Sequence, residues 1–423
     1  MGDQAEYRDV IVIGGGPAGA TAATLLAKRG WSVTVFERDT HPRFHIGESL
    51  IPMNLPLFEE LGVLEQVDQA GMKKEAATFR SPSIKAKASR FPFARASGDS
   101  PPYAYQIERS QLDQILFENA RAHGAECLEQ HTVMSVALAN NDSELHGVTV
   151  QHPGSDRSKW KCKYLLDASG QQALLAKQEK WRKPITKHSA AAVFSHFKGI
   201  PLNKGAASGD IDIYWFDGGW IWFIPLNNEV VSIGAVCSPE ILKARSGNLD
   251  DFLRQTIGRS YSARKRFSKS EQLIPAQATA NYSYSSAKQI GNRFALIGDA
   301  HTFIDPVLSS GVYLAMSGAQ RIVPIVELGL NDKKHRHKLA ANRYEKTMRR
   351  AISAFSWFIY RFNTPHMRYL FLNPRNLLGT ERAVVSLLAG DIYRDKTIFL
   401  RLQFFKVFFY LTRLFSPKNV PGK

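Results

Sequence analysis

The sequence predicts an α/β protein: a Rossmann-like nucleotide-binding core, an inserted antiparallel sheet and a helical C-terminal region. Three observations carry that expectation. A β-branched run, Val10-Ile11-Val12-Ile13, passes straight into glycines and then into an Ala/Leu-rich helical stretch. Strand-like segments cluster again between about residues 189 and 237, and beyond about residue 335 the pattern turns helical and basic. Alternating β and α signals followed by a block of strands indicate a parallel sheet joined to a second sheet.

Each element has a local cause. Val10–Ile13 is short and wholly apolar, as a buried parallel strand is. Ala18 to Lys28 reads as a helix stopped by Gly30. Ser32 to Phe36 reads as the return strand, ending at Glu37, so a βαβ unit with a right-handed crossover is expected. Residues 80 to 102, rich in Ser, Pro, Lys and Arg, look like a loop or lid. Gln111 to His123 reads as a helix, and residues 131 to 166 as strands with a polar turn at Asn140-Asn141-Asp142. Tyr214-Trp215-Phe216 and Val230-Val231-Ser232-Ile233 belong to the inserted antiparallel sheet, expected over about 189–290. Phe294 to Ile297 reads as a buried strand again, and Gly311 to Leu328 as a helix. This divides the chain into a core, 1–335, and a helical region, 336–423. In the last segment Leu400, Phe404, Val407, Phe408, Leu411 and Phe415 share one helical face, which is expected to pack on the core. The alternative is an interfacial helix with Arg401, Lys406 and Arg413 on its polar side.

Composition excludes whole classes. With 423 residues, 44% hydrophobic and 22% charged, the chain is neither disordered nor fibrous. Cys127, Cys162 and Cys237 are scattered without a CxxC, so no structural zinc and no disulfide framework is expected, and a reducing cytoplasm fits. Asp3, Glu6 and Asp9 before the first apolar run are unlike a secretory signal. No stretch of about 18 residues is free of charge, so no transmembrane helix is expected. The net charge of +17, from 55 Lys and Arg against 38 Asp and Glu, leaves nucleic acid, an anionic membrane, an acidic protein partner or mere solubility open.

Gly14-Gly15-Gly16-Pro17-Ala18-Gly19 fits G-x-G-x-x-G between a strand and a helix. Gly14 permits the tight turn, Gly16 lets backbone N–H groups approach a pyrophosphate at the helix N-terminus, and Gly19 lets helix and strand pack closely. Glu37 is placed to accept hydrogen bonds from ribose hydroxyls, which disfavours a 2′-phosphate and hence NADP. Asp299, in Leu296-Ile297-Gly298-Asp299-Ala300, can hold a ribityl hydroxyl, and Asp167-Ala168-Ser169-Gly170 is a second strand-end turn of that type. These two turns favour FAD over NAD. Arg109 either reaches the phosphates or makes a surface salt bridge. With one GxGxxG, a second site for a nicotinamide cofactor is not visible, so the flavin is expected to be reduced elsewhere, by a separate flavin reductase.

Three further segments are more specific. Gly219-Trp220-Ile221-Trp222-Phe223-Ile224-Pro225 matches G-W-x-W-x-I-P, the Phe303 to Gly311 stretch matches F-x-x-P-x-x-S-x-G, and Gly47-Glu48-Ser49 is a G-E-S turn after Arg43. Together they resemble the flavin-dependent halogenases, in order and spacing from about residue 8 to about 315. The resemblance implies a Rossmann-like FAD-binding domain in which reduced FAD (FADH2), O2 and a halide, chloride or bromide, yield hypohalous acid. It implies cofactor contacts at Gly14, Gly16, Ala18, Gly19, Glu37, Arg43, Glu48, Ser49, Arg109, Val133, Asp299, Pro306 and Gly311, and no metal. Ser310 and Gly311 would form the halide nest. Trp220 and Trp222 would keep an organic substrate from the flavin; the plain alternative for them is core packing. Lys74, five residues before Phe79, would hydrogen-bond hypohalous acid or form a haloamine. Lys73 competes for that role, and the plain alternative is two solvated lysines. A buried Lys74 would have a lowered pKa and be the better nucleophile.

The resemblance also narrows the substrate. Halogenases of free tryptophan are usually longer and carry a glutamate two positions before the residue matching Ser310; here that residue is Leu308. Phenol or pyrrole substrates fit better, many of them tethered to a carrier protein. The alternatives are a FAD monooxygenase or geranylgeranyl-reductase-like enzyme, and a membrane-associated flavoprotein without turnover. The charge, carried by Lys85, Lys87 and Arg90, by Arg157 to Lys163, by Lys333 to Lys338 and by Arg349 and Arg350, would steer an acidic carrier. Membrane contact stands behind that reading, and with no nucleic-acid motif that class drops out.

Overall fold

The computed structural model describes residues 5–83, 87–393 and 396–415. The first apolar run lengthens into a strand, Glu6–Ile13, whose last four residues are buried. The helix Pro17–Ala27 follows and Val33–Phe36 returns parallel to the first strand. Every residue of that helix except Ala27 is buried, because it is wedged between the helices Arg109–Ala122 and Gly311–Leu330. A helix apolar on all sides needs such cover.

The first sheet runs Phe294–Leu296, Arg157–Asp167, Glu6–Ile13, Val33–Phe36, Glu126–Leu128, all parallel. Ile290–Gly291 adds an antiparallel edge, and Thr132–Ala137 with His146–Gln151 forms an antiparallel pair beside the first half of Arg157–Asp167. The turn expected at Asn140–Asp142 is there, with Asn141 Oδ1 accepting from the Ser143 and Glu144 N–H groups. The register aligns Ile13 with Phe36 and with Asp167, and Asp167 with Leu296. Four strands therefore end side by side, and the loops that follow them share one edge. In open α/β sheets ligands bind at that edge.

The second sheet is mainly antiparallel and reaches beyond the expected 189–290. Its order is Thr302–Phe303, Gln277–Ser286, Arg182–Lys198, Val231–Cys237, Gly219–Pro225, Ile211–Phe216, Ala76–Arg80, Ala88–Pro92, with Ile211–Phe216 parallel to Ala76–Arg80. Ala88–Pro92 lies inside the segment read as a loop. Its alternation places Ser89 and Phe91 inward and Ala88 and Arg90 outward, a period-two pattern masked by the basic and polar residues around it. Lys85, from the same segment, lies outside the described residues.

After Gly311–Leu330 come the helices Lys334–Ile359, Pro365–Leu372, Thr380–Ala389 and Lys396–Phe415. The last corrects the sequence expectation. Ile398, Leu402, Phe405 and Phe409 are the buried face, with Phe405 stacked on Phe358 at 5.2 Å and Phe409 edge-on to Trp357 at 5.3 Å. Leu400, Phe404, Val407 and Leu411, expected to pack inward, are exposed, and Phe408 is half-buried. The helix carries two apolar stripes, and periodicity cannot say which one the neighbours cover. Arg401 reaches Ser97 and Lys406 lies over Trp357, so both turn toward the protein. The side chains of Arg413 and Phe415 lie outside the described residues. Among the described residues no helix is long and apolar enough to cross a membrane.

Candidate functional site

A cavity of about 500 Å³ opens at the shared strand ends. Pockets that enclose organic ligands run roughly 300–1,000 Å³. Gly14 and Gly16, Glu37, Ala168 to Gln172, and Gly298 and Asp299 line it from the four loops. Gly14 has φ +101°, and a Cβ there would stand 2.5 Å from the Ala168 carbonyl oxygen. A Cβ on Gly19 would fall 1.9 Å from the Gly14 carbonyl oxygen, so Gly19 sets the helix–turn contact and does not face the cavity. A Cβ on Gly16 would meet nothing closer than the Arg43 guanidinium at 3.7 Å, leaving that backbone open to the cavity.

Glu37 Oε2 accepts from the Gly15 N–H at 2.7 Å and Oε1 from the Asp39 N–H at 3.0 Å. The carboxylate thus shapes the glycine turn while it lines the cavity, with lone pairs left for a ribose hydroxyl. Arg109 makes no surface salt bridge. It is buried, grips Asp113 through Nε at 2.8 Å and Nη2 at 3.0 Å, and donates from Nη1 to the Ile46 carbonyl at 3.2 Å. Arg43 stands 3.4 Å from the same Asp113. Burial opposes the charge on Asp113, yet Arg109, then Arg43, more than offset it and hold its carboxyl below the ordinary range. Both guanidiniums line the cavity next to the glycine turn, a cationic wall suited to phosphates.

Asp299 also lines the cavity, and burial raises its carboxyl to about 6 against the pull of Arg109. Asp167 is turned away from this role: its two oxygens accept from the Ser169 N–H at 3.0 Å and the Leu175 N–H at 2.8 Å, fixing the second turn. Val133, Pro306 and Gly311 complete that side of the wall. Gly311 begins a 20-residue helix whose N-terminus opens on the cavity, where the dipole favours an anion. Ser310, just before it, is buried, and its Oγ has no partner. Asp305 tightens the turn ahead of them by accepting from the Val307 N–H at 3.1 Å. Leu308 is buried and apolar.

Trp220 and Trp222 alternate with Ile221 and Phe223 along one strand, so both indoles fall on the cavity face. Their rings lie 5.7 Å apart, and Trp222 Nε1 donates to Ser232 Oγ at 3.3 Å. Behind Trp220 stand Phe362, at 6.1 Å, and then Trp215, Phe79 and Phe371 in mutual contact. The two lysines separate cleanly. Lys73 is exposed over the Tyr103 ring. Lys74 is only 2% exposed and donates to Ser49 Oγ at 2.8 Å and to the Leu50 carbonyl at 2.7 Å. Burial pushes its amine down to about 7, with the Asp210 carboxylate opposing. Lys74 itself does not line the cavity; Ser49 and Glu48 do.

Three histidines had no sequence signal: His45 and His301 line the cavity, and His196 pairs with the cavity-lining Glu48. Glu48 Oε1 lies 2.7 Å from His196 Nε2, while the buried Oε2 has no partner. Burial opposes protonation of His196, but its hydrogen bond and attraction to Glu48 raise its pKa overall. His45 is lowered to about 4, by Arg109 first and burial second, and His301 to about 4 by burial and then Arg349. Isolated histidines of this kind belong to no motif. The three cysteines are free and buried. Among the described residues no cluster could hold a metal ion.

A glycine turn at parallel strand ends, an acid on the second strand, an aspartate in the Gly-Asp-Ala turn and two arginines against the cavity define a dinucleotide-binding flavoprotein. The open backbone at Gly16 and the unpartnered Glu48 oxygen fit an FAD there, and the Gly311 helix N-terminus fits an anion; Ser310, expected from the sequence to share that nest, does not line the cavity, where Ser309 does. The family model described as tryptophan halogenase matches residues 9–100 and 66–368. The 1H-pyrrole-2-carbonyl-[peptidyl-carrier protein] chlorinase of Pseudomonas fluorescens is 28% identical over 92% of this chain and 90% of its own length. Flavin-dependent halogenase gsfI of Penicillium aethiopicum is 35% identical over 73% of this chain and 62% of its own length. The solved structure of the flavin-dependent brominase Bmp2 superposes with a TM-score of 0.83 at 25% identity, covering 95% of this chain and 99% of that one. The chain belongs to the tryptophan-halogenase family and is a flavin-dependent halogenase, an oxidoreductase that uses FAD, halide and O2.

Proposed function

We propose that this halogenase modifies an electron-rich aromatic ring, a pyrrole or a phenol presented on an acidic carrier protein, and that Lys74 delivers the halogen. The observation that carries the reading is the burial of Lys74 with its amine lowered to about 7, hydrogen-bonded to a cavity-lining serine. Bound reduced FAD supplies hypohalous acid from O2 and halide. A neutral Lys74 amine attacks the electrophilic halogen, an N–halogen bond forms, and water leaves. The halogen then passes to the ring carbon, a ring proton is lost, and the amine is restored. The helix N-terminus at Gly311 holds the halide beforehand, and Ser310 Oγ lies buried beside it. Trp220 and Trp222 keep the organic substrate off the cofactor.

The printed activity of the Pseudomonas fluorescens relative and the +17 charge support a carrier-bound substrate. A separate flavin reductase supplies FADH2, and the three buried free thiols suit a cytoplasmic setting. The test supplies the protein with FAD, NADH, a flavin reductase and either halide, and offers pyrrole-2-carbonyl on a holo carrier protein beside a free phenol. Mass spectrometry should find the halogenated carrier-bound ring. Insertion of oxygen without halogen would sink the reading. A product formed on the free phenol alone would remove the carrier from it.

A further inference from the structure

The last helix, Lys396–Phe415, presents an apolar stripe that none of the described residues covers. Leu400, Phe404, Val407 and Leu411 recur at i, i+4, i+7 and i+11 on its outer side, with Leu400 56% and Val407 52% exposed. Phe399 extends the stripe. Beside it, Leu377 and Leu378 protrude from a turn, Leu378 at 65% exposure with φ +53°. That turn touches the helix, since a Cβ on Gly379 would stand 2.9 Å from Arg401 Nε. No other part of the described surface gathers as many large apolar side chains. Monomeric proteins rarely leave such patches open unless something docks there.

The sequence of this end of the chain is basic, and the exposed charges described at the borders of the stripe are cationic. Residues 396–423 contain six lysines and arginines and no acidic residue, and residues 361–423 contain eleven against three. Lys396, Arg375 and Arg382 are exposed at its borders. Of the three acidic residues, Glu381 pairs with Arg95 and Asp391 is buried, while Asp395 lies outside the described residues.

We propose that this stripe docks the protein on an anionic lipid surface, with the last helix lying in the interface plane. An apolar helical face with cationic borders suits the boundary between headgroups and acyl chains. The inner face of the same helix is anchored by Ile398, Leu402, Phe405 and Phe409, so the helix lies flat along the protein and does not project. A second copy of the chain fits less well, because a self-complementary contact would bring the cations Lys396, Arg375 and Arg382 of both copies to one seam. An acidic carrier fits less well too, because no described residue after Ile352 lines the cavity it would serve.

The experiment is flotation of the full chain with vesicles of phosphatidylcholine, with and without phosphatidylglycerol, at low and high salt. The variant is Phe404→Glu with Val407→Glu, both exposed, and Lys396→Glu serves as a second variant should the first fail to fold. Wild type should float with the phosphatidylglycerol vesicles, release in salt and stay behind with phosphatidylcholine alone. Either variant should lose vesicle binding by about tenfold or more while halogenation of a free phenol and flavin binding are unchanged. Absence of flotation, or equal flotation of the variants, would overturn the proposal. So would a dimer that the double variant converts to monomer. Loss of turnover on the carrier-bound substrate without any lipid binding would assign the stripe to the carrier instead.

Discussion

The Lys74 amine stands 2.8 Å from the Ser49 hydroxyl, and of that pair it is Ser49 that faces the cavity. The serine oxygen accepts from the amine and keeps its own proton free to donate toward the cavity. Ser49→Ala leaves Lys74 only the Leu50 carbonyl. One lost hydrogen bond is worth about 1 kcal/mol, roughly a fivefold effect. The ratio of halogenated product to flavin oxidised should fall by about that factor while FAD affinity holds. If FAD affinity falls and the ratio does not, Ser49 is a cofactor contact and does not position the lysine.

Lys74→Ala should abolish halogenated product while flavin oxidation and peroxide release continue. Lys73→Ala should leave product formation intact, since its amine is exposed over Tyr103. Mass spectrometry beside a peroxide assay separates the two variants. Product that survives Lys74→Ala and disappears in Lys73→Ala would move the delivery role to the neighbour.

Proton occupancy of Lys74 sets a pH dependence. With its amine at about 7, the ammonium form dominates below that pH and cannot attack the halogen. Single-turnover halogenation should therefore rise through about pH 7 and level off above it. Asp210 favours the charged amine, so Asp210→Asn should move the inflection to lower pH. The stability consequence has a definite sign. The unfolded chain holds this proton up to the ordinary 10.5, so from about pH 7 to 10.5 it binds more protons than the folded chain, and this group makes the fold more stable as pH rises.

Gly19→Ala tests the nucleotide turn without touching the cavity. The added Cβ would fall 1.9 Å from the Gly14 carbonyl oxygen, which is backbone and cannot swing aside. Overpacking of this kind costs about 1–3 kcal/mol or more. The variant should melt at a lower temperature and bind FAD weakly, as read by differential scanning fluorimetry and flavin fluorescence. Gly16→Ala, whose Cβ has room, should fold normally and lose affinity for FAD alone.

Local features of the site were readable from one dimension. The run Val10 to Gly19 and the acid at Glu37 lie within one βαβ unit, where short-range geometry decides what the backbone can do. The alternation of Trp220 and Trp222 placed both indoles on one face because strand side chains repeat every two residues. Contacts between distant segments carried no such mark. Lys74 meets Ser49 across 25 residues and His196 meets Glu48 across 148. Arg109 was equally consistent with phosphates or a surface pair until the fold buried it against Asp113.

The last helix makes the same point through packing. Its two apolar stripes have similar periodicity, so hydrophobic pattern alone could not choose between them. By itself the sequence determined the nucleotide turn and the flavoprotein class and named the candidate residues for halogen chemistry, because each motif depends on neighbours within a few positions. Only the tertiary structure decided which lysine is buried, how Arg109 is paired and which face of the last helix stays open. Burial depends on what the rest of the chain brings alongside, and no local pattern records that.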